Sequence, residues 1–435
     1  MNNRPKVIDF AAKYMHVTLL ASFVKWICYG SIVGILTGSA SALFLVSLDL
    51  VTERRIAYPW LLFLLPAGGA IMAYIYLKIG KNAGKGNNLI LEQLHEGKER
   101  IPLRMAPLVL VGTLVTHLFG GSAGREGTAV QMGGSLAEWI GRIFRVDEMD
   151  RKILLMCGIS SGFGSVFGTP LAGTIFALEV AAIGMMRYQA LIPCFIASLV
   201  AHQVTMAWGI HHIHYAMGAV PLLTVGVVLK VVIASMLFGG ASILFSELTH
   251  GMKKLYTRLF ANPVLRAFVG GIVIIALIAA FKTRDYLGLG IPLLQQAFEA
   301  PVAHFAFLWK TIFTALTLGA GYLGGEVTPL FVIGATLGNS LADLLGLSAP
   351  FLAALGLIAV FSGATNTPLA CFIMGVELFG SEGILYMFMA CLVSYLFSGH
   401  SGIYTSQRIG LSKSRRHALA EGETLASIKV KKKAE

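Results

Sequence analysis

The sequence predicts an all-α polytopic membrane protein folded from two related halves. Three observations carry this reading. The composition is too apolar for a soluble chain, several apolar runs have membrane-crossing length, and glycine- and proline-rich breaks recur in the same order in both halves. The 435 residues are 56% hydrophobic and only 13% charged, with a mean hydropathy of +0.74. Soluble domains carry about 25% charged residues, and so few charges cannot cover a soluble protein of this size.

Residues 57–79, 265–281 and 383–398 are apolar over the roughly 17–23 residues a helix needs to cross hydrocarbon. Residues 221–247 form a longer run, expected to tilt or bend. Nothing alternates with period two in strand-length units, which argues against a β-barrel. Backbone polar groups in lipid must then be satisfied inside helices. The apolar run after Lys13 is too long for a signal peptide, and further spans follow it.

Glycine or proline interrupts the spans at 84–88, 120–127, 168–173, 288–292, 319–329 and 363–368. These breaks pair. GKGNNLI (84–90) matches GLGIPLL (288–294), SAGREGT (122–128) matches YLGGEVT (322–328), and GTPLAGTIFALE (168–179) matches NTPLACFIMGVE (366–377). The ordered set, at a near-constant offset of about 200 residues, indicates an internal duplication. Matching breaks in two halves point to a transport site at the bilayer midplane. Whether the repeats are inverted or parallel is not encoded in such matches. The organisation expected is a cytoplasmic segment over 1–16 and a transport domain over 17–406, with repeats at about 17–207 and 217–406. A short basic cytoplasmic tail over 407–435 needs no fold of its own.

The formal charge of +12 raises the question of nucleic acid. Its distribution argues against that partner. Beyond Tyr404 stand Arg408, Lys413, Arg415, Arg416, Lys429, Lys431, Lys432 and Lys433 against Glu421, Glu423 and Glu435, while Arg4, Lys6 and Lys13 flank the first apolar run. Basic ends beside apolar spans read as cytoplasmic anchoring. Cys28, Cys157, Cys194, Cys371 and Cys391 stand singly in apolar surroundings and read as small buried hydrophobes. His211, His212 and His214 form either a polar interhelical loop or a metal loop; no Cys or carboxylate nearby favours the latter. No P-loop is present, GLGIP (288–292) lacks the third glycine of a dinucleotide motif, and no cofactor is expected. No nucleophile constellation suggests an enzyme.

Four glutamates interrupt apolar segments: Glu126, Glu179, Glu326 and Glu377. A carboxylate in the membrane interior is costly and marks a functional candidate; the alternative is a carboxylate satisfied by backbone amides at a helix end. Glu179 and Glu377 occupy equivalent repeat positions and fit the helix-end role. Glu126 and Glu326 also match, each in a glycine-rich break. GREGT (124–128) places a carboxylate at an expected helix start, where exposed amides and the helix dipole attract anions. A carboxylate there is a tethered anion. It can occupy the site, be displaced, or take a proton and swing out. GKGNN (84–88) opens a helix, with Asn87 and Asn88 as amide donors. In GEVTP (325–329), Pro329 fits a first helical turn and Thr328 a cap or donor. Tyr404 is an exposed-looking phenol past the last span, which reads as an interfacial belt residue.

Together these residues resemble the CLC family of anion channels and transporters. That family carries a GSGIP loop, a GREGP loop holding a gating glutamate, a GxFxP loop and a late tyrosine, in that order. Here they stand as Gly84–Asn88, Gly124–Thr128, Gly325–Pro329 and Tyr404, and the similarity spans roughly residues 20–408. The departures are informative. GKGNN lacks the usual anion-binding serine, GEVTP places a glutamate where an uncharged residue is usual, and Val180 stands where proton-coupled members often keep an inner glutamate. This combination is similar to the fluoride/proton antiporter branch. The resemblance implies a CLC-type fold of two inverted repeats with broken, tilted helices, and a homodimer with one anion pathway per subunit. It implies a multi-pass protein of the bacterial inner membrane, with fluoride and protons as substrates. It assigns Glu126 as gate and proton carrier, and Glu326 as either proton relay or helix cap. It places Asn87, Asn88, Gly124, Arg125, Gly127, Val327, Thr328 and Tyr404 around the anion, the tyrosine donating its hydroxyl or presenting its ring edge. A chloride/proton antiporter or chloride channel of the same fold is the nearest rival; a sugar or drug carrier would show regular spans without paired midplane glutamates.

Overall fold

The structure is a computed structural model describing residues 5–95, 97, 99–212, 215–414 and 420–434. The duplication seen in the sequence appears as two matching series of helices. The first series is α1 (Pro5–Ala57), α2 (Leu65–Ile75), α3 (Asn87–His95), α4 (Met105–Leu118), α5 (Glu126–Ile143), α6 (Glu148–Phe167), α7 (Pro170–Glu179) and α8 (Leu191–Ala207). The second is α9 (Val225–Leu259), α10 (Pro263–Phe281), α11 (Ile291–Glu299), α12 (Ala306–Gly319), α13 (Val327–Leu345), α14 (Ala349–Thr365), α15 (Pro368–Phe379) and α16 (Ile384–Phe397). Each glycine or proline break marked in the sequence lies at or between helix ends. Prolines sit in the first turn of α7, α10 and α15, where the missing N–H is not needed. Gly168 (φ 74°) closes α6 and Gly346 (φ 58°) closes α13 in left-handed conformation.

Six helical segments are long and apolar enough to cross a membrane among the described residues. Others are too short to do so alone: the 10 residues of α7 rise about 15 Å, half of a hydrocarbon core of about 30 Å. Such half-helices bury their ends in protein, as non-helical backbone at membrane depth requires. Leu43, Val46, Ile71, Leu229, Ile233 and Ile272 are exposed on the long helices, the apolar exterior of an integral membrane protein.

Reciprocal end-to-end contacts show that the repeats are inverted. The Glu179 carboxylate, at the end of α7, accepts from the Leu369 and Ala370 amides at the start of α15, at 3.3 and 3.0 Å. Glu377, near the end of α15, accepts from Leu171 and Ala172 at the start of α7, at 2.9 and 2.8 Å. Two helices can exchange caps in this way only when they lie antiparallel. Glu179 and Glu377 thus hold helix ends, but the helix each one caps belongs to the other repeat. Close crossings repeat as well. A Cβ on Gly133 would lie 2.1 Å from the Gly158 carbonyl, and one on Gly334 would lie 2.1 Å from that of Gly356. The α5–α6 and α13–α14 pairs therefore pack backbone to backbone through the same small residues.

Two expectations need revision. The 57–79 run is not one helix: it breaks into a 3₁₀ turn over Pro59–Leu64, then α2, then a π turn. Residues 225–247 of the 221–247 run lie in one continuous helix from Val225, and 221–224 precede it. Residues 5–16 belong to α1, which runs unbroken from Pro5. The tail is folded. Strand β2 (Arg408–Ile409) pairs in parallel with β1 (Ala182–Ile183), and α17 (Leu425–Ala434) follows. Ile183, Ile409, Leu425 and Ile428 form a small buried cluster there. Lys413 adds a bond to the Tyr395 carbonyl at 2.6 Å and lies 3.8 Å from the centre of that ring. Cys28 is exposed on α1, and the other four cysteines are buried. His212 stacks on His202 with ring centres 5.7 Å apart, while His214 lies outside the described residues.

Candidate functional site

The two GREGT-type breaks meet at the centre of the molecule. Gly124 and Gly325 exchange backbone hydrogen bonds, at 2.6 Å from the Gly124 amide and 2.7 Å from the Gly325 amide. This antiparallel bridge sets the starts of α5 and α13 against one another. Gly127, in the first turn of α5, packs with equal closeness: a Cβ there would meet the Asn87 Nδ2 at 3.0 Å and the Gly325 Cα at 3.1 Å.

Glu126 is the first residue of α5 and is fully buried. Its side chain joins the starts of two helices. Oε2 accepts from the Thr328 amide at 3.0 Å and from the Arg125 amide at 3.1 Å, and the Thr328 hydroxyl donates to Oε1. Arg125 Nε stands 3.6 Å from Oε1. The carboxylate is thus seated on the start of α13, the helix of the opposite repeat, where free amides favour negative charge. The expectation of a tethered anion at a helix start holds in kind, but the helix that receives it is the partner one. Thr328, expected as a cap or donor, is a donor to Glu126; α13 has no side-chain cap. Val327 is buried as the first residue of that helix.

Two cavities lie on either side of this carboxylate. One, of about 580 Å³, is lined by Asp49, Arg55, Arg125, Arg284, Thr328 and Phe331, among others. The second, of about 860 Å³, is lined by Lys85, Asn87, Asn88, Lys253, Glu326 and Tyr404, among others. Helix α10 joins chain segments that line one cavity and the other. Lys253, Lys254, Thr257 and Arg258, before it, line the larger cavity, and Arg284, Asp285 and Leu287, after it, line the smaller. Its 19 residues rise about 28 Å, so residues at its two ends line different cavities.

The first loop divides the work of its asparagines. Asn87 lies beside Gly127 and lines the larger cavity; its Oδ1 is buried without a partner. Asn88 Oδ1 instead accepts from the Ser406 amide at 3.0 Å, tying α3 to the segment after α16. Tyr404 is buried, at 5% exposure, which overturns its reading as an exposed interfacial phenol. It lines the larger cavity and sets its ring against Phe176, with centres 6.5 Å apart. From there an aromatic column of Phe176, Phe361, Phe331 and Phe167 reaches the smaller cavity, with successive centres 6.0, 5.3 and 5.0 Å apart. Glu326 occupies the N-cap position of α13 yet makes no capping bond, and it faces the larger cavity together with Lys253.

Three residues escaped the sequence reading. Lys310 is fully buried in α12 and donates to Ser122 Oγ and to the carbonyls of Tyr286 and Gly288, at 3.0, 3.1 and 2.8 Å. It braces the second copy of the glycine loop, and its signal was a lone lysine in an apolar helix. Gln407 and Asn366 are both buried and bond to one another; neither has a sequence signal that separates it from a loop residue.

Comparisons with known proteins agree with this geometry. The family described as "Voltage gated chloride channel" matches residues 68–399. A protein of Pseudomonas syringae pv. tomato named "Chloride/fluoride channel protein" is 50% identical over 417 residues, covering 94% of this chain and 92% of its own. The crystal structure of a CLC-type fluoride/proton antiporter superposes with a TM-score of 0.86 at 36% identity, covering 88% of this chain and 98% of that one. A slow cyanobacterial Cl⁻/H⁺ antiporter gives a TM-score of 0.77 at 21% identity, over 87% and 96% of the two chains, and shares the fold. With two inverted repeats, a carboxylate seated on the opposite repeat's helix start, and relatives that cover it nearly end to end, the chain belongs to the CLC family.

Proposed function

We propose that this protein is a fluoride/proton antiporter that exports fluoride from the cytoplasm on the inward proton gradient, working as a homodimer in the bacterial inner membrane. The observation that carries the reading is the seat of Glu126: a carboxylate held by the Arg125 and Thr328 amides and the Thr328 hydroxyl, with a cavity on each side. Donors that hold a carboxylate also suit a free anion. An incoming anion and the carboxylate compete for the place, and a displaced carboxylate takes a proton. One side chain then links the two fluxes.

The larger cavity is the cytoplasmic mouth. Lys85, Lys253, Lys254, Arg258 and Lys429 line it, in keeping with the cytoplasmic excess of basic residues. These charges also concentrate anions there. Fluoride enters past Tyr404 and Asn87, takes the donors at the start of α13, and leaves by the smaller cavity past Arg125. Fluoride is small and strongly hydrated, so dense donors must replace its water. The Asn87 amide beside the Gly127 backbone supplies one where the usual loop carries an isoleucine. The two relatives with 36% and 50% identity carry fluoride in their names, which supports the same substrate. Glu326, facing the cytoplasmic mouth, passes protons in place of a glutamate at Val180.

A second reading, an anion channel without proton coupling, draws on the name of the Pseudomonas relative. One experiment separates them. Purified protein in proteoliposomes is given a fluoride or a chloride gradient, and anion and proton movement are recorded together. Fluoride efflux with opposed proton uptake supports the antiporter. Fluoride efflux without proton movement supports the channel, and faster chloride than fluoride exchange defeats the substrate assignment.

A further inference from the structure

The segment carrying Tyr404 has no regular secondary structure, yet its neighbours on both sides are fixed. The Ile403 amide donates to the Ala364 carbonyl at 2.9 Å, and the Ile403 carbonyl lies 3.3 Å from His250 Nε2. The Thr405 carbonyl accepts from the Ala426 amide at 3.0 Å. The Ser406 amide and hydroxyl bond to Asn88 and Glu92, each at 3.0 Å. The Gln407 amide closes a turn on the Tyr404 carbonyl at 3.1 Å, and the Gln407 carbonyl accepts from the Leu425 amide at 3.1 Å. Ile403, Tyr404 and Thr405 of this run line the larger cavity.

Gln407 is the pivot. Its side chain is fully buried. Nε2 donates to the Val180 carbonyl at 2.9 Å and the Thr365 carbonyl at 3.0 Å, and Oε1 accepts from Asn366 Nδ2 at 3.0 Å. Those partners stand at the ends of α7 and α14, one in each repeat. Asn366, in left-handed conformation (φ 58°), also donates to the Ser401 carbonyl at 3.2 Å. Helix α17 closes the clamp from outside: Ala426 and Leu425 bond the segment's backbone, Ile428 and Leu425 bury against Ile183 and Ile409, and Lys429 pairs with Glu247 at 2.6 Å and with His250 at 3.3 Å. Ala426 and Lys429 line the cytoplasmic mouth themselves.

We infer that Gln407 is a positioning residue for Tyr404, held in place by the tail helix α17, so that the cytoplasmic tail is a working part of the ion pathway. The inference rests on the reading above that Tyr404 lines the fluoride route. Buried amide bonds fix a side chain that has no bond of its own, and a mobile tyrosine would leave the mouth wide enough for larger anions.

Two variants test it. Gln407→Leu removes three side-chain bonds, and a chain ended after Lys413 removes α17 while leaving Gln407 and Lys413 in place. Both are reconstituted, and amide hydrogen exchange is followed over 401–407. Exchange there should accelerate at least about tenfold in each variant, with protection in α5 and α13 unchanged. The fluoride-to-chloride flux ratio should fall by about tenfold in Gln407→Leu and by a smaller factor in the shortened chain. A merely structural glutamine would lower thermal stability and leave the flux ratio alone. Unchanged exchange over 401–407, or accelerated exchange with an unchanged flux ratio, overturns the proposal. Should Gln407→Leu fail to fold, the shortened chain carries both readouts. A wild-type protein that moves no fluoride defeats the transport reading instead, and the exchange measurement still decides whether the clamp exists.

Discussion

The seat of Glu126 can be weakened at one atom. Its carboxylate has three donors, and the hydroxyl of Thr328 is the only one from a side chain. Thr328→Val is nearly isosteric, keeps the backbone amide and the start of α13, and deletes that hydroxyl. A hydrogen bond to a charged group contributes about 1.5–3 kcal/mol. Its loss moves the balance between seated and displaced carboxylate by roughly 10- to 150-fold. The gate then stands open for much of the cycle, and fluoride passes without waiting for a proton. The assay is simultaneous recording of fluoride and pH in proteoliposomes. The expected result is a several-fold fall in protons moved per fluoride, with fluoride flux retained. Thr328→Ser, which keeps the hydroxyl, should keep the coupling. A folded Thr328→Val protein whose proton-to-fluoride ratio stays within about twofold of wild type would refute the reasoning, since the worked shift is at least five times larger.

Glu126→Gln should abolish fluoride-driven proton movement, because an amide mimics the protonated carboxylate and cannot cycle; normal proton uptake by this variant sinks its role as proton carrier. In the first loop, Asn87→Ile should lower the fluoride-to-chloride flux ratio, while Asn88→Leu should act through the lost Ser406 bond and accelerate amide exchange near residue 406. A flux ratio unmoved by Asn87→Ile places selectivity elsewhere. Glu377→Gln should weaken two amide bonds at the start of α7 and cost about 1–3 kcal/mol, seen as a lower melting temperature with the proton-to-fluoride ratio unchanged; a changed ratio at full stability would give this carboxylate a part in transport.

The sequence discloses the number of repeats and the six breaks that pair between them, because composition and glycine–proline punctuation report directly on solvent and chain geometry. Orientation is different. GTPLAGTIFALE and NTPLACFIMGVE read alike whether their helices run parallel or antiparallel, and only the exchanged caps of Glu179 and Glu377 decide. The same gap recurs at Glu126. A carboxylate at a helix start is legible, but two of the three donors that hold it belong to Thr328, about 200 residues away. The tail was misread because its lysines outnumber the few apolar residues that anchor it; Ile409, Leu425 and Ile428 are too dispersed to show a period, and they bury only because Ile183 waits on the other repeat's surface. Tyr404 looked exposed for a related reason. Position relative to the last span says nothing about a segment that folds back between the repeats.

Glu326 is where the two repeats, so alike in backbone, part in chemistry. Both glutamates sit at the start of a helix of the same break. Glu126 reaches across and is held by three donors, whereas Glu326 makes no capping bond and faces the basic cytoplasmic mouth. The helix-cap account of Glu326 therefore lacks its bond. A cap contributes about 1 kcal/mol through a side-chain oxygen on the next turn's amides, and here the start of α13 spends those amides on Glu126 instead. A buried carboxylate in a membrane protein is costly, and the role we propose for it is one that uses its proton. Glu326→Gln then makes opposite predictions for the two roles. If Glu326 relays protons between the mouth and Glu126, the variant stays folded with an unchanged melting temperature, and proton movement coupled to fluoride is lost. If it only shapes the helix start, coupling survives. Vesicles carrying this variant that still change pH in step with fluoride flux would exclude the relay and leave Glu126 as the sole proton carrier of the pathway.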